Sequence, residues 1–138
     1  MEKEIKDELF KAALEVQKNA YVPYSDFPLG AAVLTEKGEI YTGANIENAS
    51  FGLTNCAERS AIFNAVSHGQ KDIKALLLVS STEKPVTPCG ACRQVIKEFA
   101  DDIEVVMMTN KGKEITMTSS ELLPGAFAEE DMEENDEL

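Results

Sequence analysis

The sequence predicts an α/β fold in three layers, a mixed five-stranded sheet sandwiched by helices (α/β/α). Three observations predict it. Segments with helical spacing alternate with short apolar runs, and a strand–helix–strand unit in the middle is flanked by two hairpins. Residues 75–80 form a nearly continuous apolar run, as expected of a strand buried on both faces. The last two strands are separated only by Asn110-Lys111-Gly112-Lys113. So short a link makes that pair antiparallel, because a parallel return needs a longer crossover.

In order along the chain, residues 3–20 place Ile5, Leu9, Phe10, Ala13, Leu14, Val16 and Ala20 at helical spacing, with Lys and Glu on the other face. Pro23 and Tyr24-Ser25-Asp26 end this helix. Residues 29–35 and 40–46 read as a hairpin around Glu36-Lys37-Gly38-Glu39. A second helix spans 56–68, with His68 in its last turn and Gly69 as the stop. The strand at 75–80 follows, then a loop marked by Pro85 and Pro88, then a helix over 89–99 that turns Val95, Ile96 and Phe99 inward. Strands at 105–109 and 114–117 close the sheet. Ser119 or Ser120 caps a short helix that Pro124-Gly125 stops. One domain is expected over residues 1–128, with an acidic, disordered tail at 129–138.

The 138 residues carry a net charge of -12, but the last ten hold seven acids and no base, so the body is only -5. An acidic body disfavours nucleic acid and anionic membrane surfaces, which clustered Lys and Arg would be needed to hold. No run approaches the roughly 18 apolar residues of a membrane span. Met1-Glu2-Lys3-Glu4 lacks the order of a signal peptide. The expectation is a cytoplasmic protein with reduced cysteines. A single His leaves little scope for Ser-His-Asp or Cys-His catalysis.

All three cysteines fall where helices begin: Cys56-Ala57-Glu58, and Pro88-Cys89-Gly90-Ala91-Cys92. Helix N-termini favour thiolates, and Cys89 and Cys92, three apart, share a face. Three ligands suit one catalytic zinc ion with a position left for water, whereas structural zinc is normally closed by four. His68 lies twelve residues beyond Cys56, about 18 Å along a continuous helix, too far to be a fourth ligand. Arg59 is placed to hydrogen-bond the sulfurs and spread their charge. Glu58 is the candidate proton carrier. It has a second reading as the third residue of a capping box opened by Asn55.

Cys-x-Glu with Pro-Cys-x-x-Cys is the zinc deaminase signature, with Cys in place of the first His. The resemblance extends through Asn45-Ile46-Glu47-Asn48, Asn55-Cys56-Ala57-Glu58-Arg59, Pro88 to Val95, Tyr24-Ser25 with Phe27, and Glu121-Leu122-Leu123-Pro124 with Phe127. On these residues the chain resembles the small homotetrameric cytidine deaminases over roughly residues 5–128. The resemblance implies hydrolysis of cytidine and 2′-deoxycytidine to the uracil nucleoside and ammonia, as in pyrimidine salvage. It implies one zinc per chain on Cys56, Cys89 and Cys92, with Glu58 moving the protons. It implies that Asn45 and Glu47 hold the ribose, that Phe27 packs on the nucleoside, and that backbone groups around Ala57 and Cys89 meet the base edge. It also implies a homotetramer with shared pockets, in which Ala49, Phe51 and Phe127 cross to a neighbour. Phe51 departs from the Tyr of many relatives. Asn45 and Glu47 also read as a strand end tying its own loop, Phe27 as ordinary core, and Asn48 as a turn former. Rival readings are a blasticidin-type aminohydrolase, a non-catalytic zinc protein and a thiol redox protein.

Overall fold

The computed structural model describes residues 1–132. The elements run α1 (Lys3–Gln17), β1 (Leu29–Thr35), β2 (Ile40–Ala44), α2 (Ala57–Ser67), β3 (Ile73–Ser80), α3 (Gly90–Phe99), β4 (Glu104–Thr109), β5 (Glu114–Thr118) and α4 (Ser119–Leu122). Short 3-10 turns occupy Phe51–Leu53 and Glu129–Met132. The five strands form one mixed sheet in the order β2-β1-β3-β4-β5. Among the five strands of the described residues, β3 and β4 are the parallel pair, joined by the α3 crossover, and β4–β5 is antiparallel.

Two apolar clusters define the layers. On one face Leu9 and Ala13 of α1 pack against Ala32, Leu77, Val79 and Val106. On the other, Ala57, Ala61, Ile62 and Ala65 of α2 pack with Ile96 of α3 and Leu122 of α4 against Val33, Leu76, Leu78, Val105 and Met107. Alternate residues of β3 serve opposite faces, and from Ala75 onward both faces are buried, so Ala75 to Val79 are all apolar.

Several boundaries differ from expectation for physical reasons. The first helix stops at Gln17, and Tyr21 instead bridges to Ile46 beyond the end of β2. β2 ends at Ala44, because the Asn45 side chain takes over the hydrogen bonds of the neighbouring loop. The short last helix is capped by Thr118, not by Ser119 or Ser120. The Thr118 side chain accepts from the Glu121 amide while the Glu121 carboxylate accepts from the Thr118 amide. The end of α2 is as expected: Gly69, at φ +82°, donates to Val66 and is followed by Gln70 donating to Ala65, so the last carbonyls are satisfied.

Two glycines set how closely the layers approach. A Cβ on Gly30 would lie 2.1 Å from the Ala13 carbonyl oxygen, and one on Gly43 would lie 2.2 Å from the Ala61 nitrogen. β1 therefore sits directly under α1, and β2 directly under the first half of α2, which carries Glu58.

Candidate metal centre and active site

Cys56 is the N-cap of α2 and Cys89 the N-cap of α3, both in extended conformation and neither using its side chain to cap the helix. Their sulfurs are thereby turned away from the helix amides and toward each other, 3.8 Å apart. Cys92, one turn into α3, places its sulfur 3.4 Å from that of Cys89. All three ligand atoms lie within 4.8 Å of one another. In a tetrahedral zinc site with Zn–S bonds of about 2.3 Å, sulfurs stand about 3.8 Å apart. The cluster fits one zinc ion, with three thiols free of disulfide.

The helix starts decide between the two readings of Glu58. With Cys56 as N-cap, Glu58 is the second helical residue, not the third, and Asn55 donates to the Ser60 hydroxyl at 3.1 Å instead of capping. Glu58 is only 2% exposed and its Oε1 has no hydrogen-bond partner. Burial of a carboxylate without a partner is costly unless a ligand satisfies it. That burial, with the Cys56 charge nearby, pushes the Glu58 pKa up to about 7.

Arg59 donates from Nη2 to the Cys56 sulfur at 3.1 Å. The Cys56 thiol is pushed down to about 5, chiefly by a hydrogen bond from Cys92 and then by Arg59. Cys92 moves in the opposite direction, held protonated by donating to Cys56 and by burial. Arg59 is held more firmly charged by the same sulfur. The guanidinium supplies the local positive charge that a thiolate cluster needs in an acidic protein.

The strand end at Asn45 lies across from α2. Asn45 is buried, accepting from the Leu29 amide at 2.9 Å and donating to the Phe27 carbonyl at 2.8 Å. The Glu47 carboxylate accepts from the amides of Tyr24 and Ser25 at 2.9 and 3.1 Å and from the Ser25 hydroxyl. These donors, the Ser25 hydroxyl foremost, hold Glu47 below the usual carboxylate range. Both side chains therefore fix the segment carrying Phe27, which is half-buried. Tyr24 and Ser25, named from the sequence only as part of the resemblance, are the donors that hold the Glu47 carboxylate. Their signal was the turn just before Phe27, where small polar side chains and free amides gather. Asn48 behaves as a turn former, accepting from the Ser50 amide.

Ala57, at the first position of α2, is fully buried. Ala49 is exposed, and Phe51 is 72% exposed with its ring edge-on to Tyr24 at 5.7 Å between centroids. Phe127 is also exposed and borders a polar cleft of about 600 Å³ lined by Asp72, Lys74, Lys97, Asp101 and Glu130. That cleft contains none of Cys56, Glu58, Cys89 and Cys92.

Three cysteine sulfurs gathered at two helix starts, a buried carboxylate beside them and a mixed sheet beneath define a zinc-dependent hydrolytic deaminase. The family profile described as "Cytidine and deoxycytidylate deaminase zinc-binding region" matches residues 3–109. The chain belongs to this family. It is 53% identical over 127 residues to a cytidine deaminase of Sporosarcina psychrophila, covering 91% of this chain and 93% of the relative. The crystal structure of cytidine deaminase from Burkholderia pseudomallei superimposes with a TM-score of 0.85 at 42% identity, covering 92% of this chain and all of that one. A blasticidin-S deaminase of Bacillus cereus is more distant, 38% identical over 104 residues, 70% of this chain and 74% of the relative.

Proposed function

We propose that the chain hydrolyses cytidine and 2′-deoxycytidine to uridine and 2′-deoxyuridine, releasing ammonia. The observation that carries this reading is the unpartnered, buried Oε1 of Glu58 beside three sulfurs spaced for one zinc ion. Held by Cys56, Cys89 and Cys92, zinc supplies a water acidified to near neutral pH and a positive charge for developing oxyanion character. Glu58 takes the proton of the water that adds to C4 of the cytosine ring. It delivers that proton to N3, then carries the proton of the new C4 hydroxyl to the amine, so that the C4–N bond breaks, ammonia leaves and the C4 carbonyl forms. A carboxyl group tuned to about 7 can both accept and return a proton near neutral pH. Arg59 keeps the Cys56 sulfur ionised. Ala57 and Cys89 offer backbone groups to the base edge.

Asn45 and Glu47 hold the ribose hydroxyls while keeping the Phe27 segment in place, and Phe27 packs on the nucleoside. The lone pairs of Glu47 Oε2 not used by Ser25 support this assignment. A homotetramer completes the pocket, with Ala49, Phe51 and Phe127 reaching a neighbour. Support comes from the large apolar side chains left on the surface, among them Tyr21 (55% exposed), Ile46 (52%), Phe51 (72%) and Leu53 (71%). The single domain ends near residue 128, and the setting is the cytoplasm. Among the described residues no helix is long and apolar enough to cross a membrane.

The test measures zinc per chain and ammonia released from cytidine, deoxycytidine, cytosine, CMP and blasticidin S. One zinc per chain with turnover confined to the two nucleosides is expected. Turnover of CMP or blasticidin S without cytidine would overturn the substrate assignment.

A further inference from the structure

The first turn of α3 carries two polar side chains that neither bind the metal nor line the pocket described above. Arg93 follows the ligand Cys92 directly. Its backbone amide donates to the carbonyl of the ligand Cys89 at 3.0 Å. Its guanidinium uses all three nitrogens: Nε donates to the Pro88 carbonyl at 2.7 Å, Nη2 to the Thr87 hydroxyl at 3.1 Å, and Nη1 to the Leu122 carbonyl at 2.8 Å. Thr87 and Pro88 lie in the loop that delivers Cys89, and Pro88 has no amide with which to anchor itself. Leu122 is the last residue of α4, where carbonyls lack helical partners. The next side chain, Gln94, donates to the Phe127 carbonyl at 2.9 Å. Between these two attachments the chain passes through Pro124 and Gly125 (φ +64°) without helix or strand. The segment 122–127 is thus fastened at both ends to the turn that presents Cys89 and Cys92.

We propose that Arg93 and Gln94 are positioning residues that couple metal loading to the placement of Phe127. Arg93 fixes the loop entering Cys89 and joins it to the end of α4. Gln94 sets where Phe127 stands. A rigid planar fork with three acceptors is not reproduced by Lys, which keeps the charge but not the geometry. Metal that orders the start of α3 orders both side chains, and with them the C-terminal segment. The proposal rests on the reading of Phe127 as a pocket residue only for its consequence on KM; its other readouts need no substrate.

The chain has no Trp, so Phe127→Trp gives a single fluorescent reporter in the full-length zinc protein. Acrylamide quenching of that Trp is measured with zinc bound and after stripping by a chelator, in the reporter alone and with Gln94→Ala or Arg93→Lys added. Zinc transfer to a chelating dye is timed in the same proteins. Quenching is expected to rise on stripping. Gln94→Ala is expected to raise it with zinc still bound, with zinc loss unchanged. Arg93→Lys is expected to speed zinc loss about tenfold and to raise quenching as well. On the Phe127 side chain proper, Gln94→Ala is expected to raise KM for cytidine about fivefold while leaving kcat nearly unchanged. Equal quenching with and without zinc overturns the coupling, and does so even if Arg93→Lys fails to fold. Unchanged quenching in Gln94→Ala, or unchanged zinc loss in a folded Arg93→Lys, also overturns it. Loss of cytidine turnover in the parent, with the quenching and zinc results as expected, would count against the substrate and leave the coupling standing.

Discussion

At the scale of single residues, Glu58 is the most exacting position in the molecule. It is buried, has one carboxylate oxygen without a partner, and sits two residues from a ligand sulfur. Glu58→Gln keeps shape and packing but removes proton transfer. Turnover is expected to fall by about 10²–10⁴-fold with zinc content unchanged, measured by ammonia release and metal analysis. Arg59→Gln leaves the Cys56 sulfur without its charged donor, and zinc affinity is expected to weaken by about 10–100-fold in a chelator competition. Glu47 gives a pH prediction. Its folded pKa lies below its unfolded value, so the stability it contributes is present at neutral pH and is lost as pH falls through the lowered value. Glu47→Gln should therefore flatten the acid side of a plot of melting temperature against pH. Two of the metal ligands, Cys89 and Cys92, were legible from spacing, since i and i+3 on a helix meet one ion; Cys56 was legible through the Cys-x-Glu motif it opens. The double engagement of Asn45 was not. An amide at a strand end can turn to loop or ligand with equal chemistry, and only the fold puts the Leu29 amide and Phe27 carbonyl within its reach.

Among the elements, the relation of β2 to α2 matters most. Gly43 lets the strand that leads into Asn45 lie against the backbone of Ser60 and Ala61, one turn from Glu58. Gly43→Ala forces these apart, with an expected loss of about 1–3 kcal/mol in stability by denaturant unfolding and a fall in turnover. Strand and helix identities could be read from periodicity, since each element buries one face or, for β3, both. Two of the helix starts could not, because side chains decide them. Cys56, not Asn55, stands at the N-cap position of α2, without a side-chain capping bond, and Thr118 displaced the two serines at α4. Which polar residue ends up at such a position depends on what else its neighbours can bind. Asn55 had Ser60, and Ser119 accepts from the Ile103 amide.

For the molecule as a whole, the charge of -12 separates into a body and a tail. The described part of the tail forms a 3-10 turn over Glu129–Met132, while the rest of the expected disordered segment, 133–138, lies outside the described residues. Ending the chain after Ala128 is expected to leave kcat/KM for cytidine unaltered, since no residue proposed for the site lies beyond it. Sedimentation equilibrium is expected to give four chains per particle, and charging the exposed apolar surface with Leu53→Glu to shift that mass downward and raise KM. The three-layer architecture was legible from the order of elements. The expectation of a tetramer rests on resemblance, because a single chain shows apolar surface without showing what covers it. The metal centre also has a topological consequence. Cys56 and Cys89 stand 33 residues apart, across β3. An ion holding both is a cross-link that closes a loop in the unfolded chain, a constraint of about 3–4 kcal/mol in the chain-entropy account. The same three sulfurs proposed to prepare a water for chemistry therefore act as a staple between the starts of α2 and α3, so chelation should lower the melting temperature even when no substrate is present.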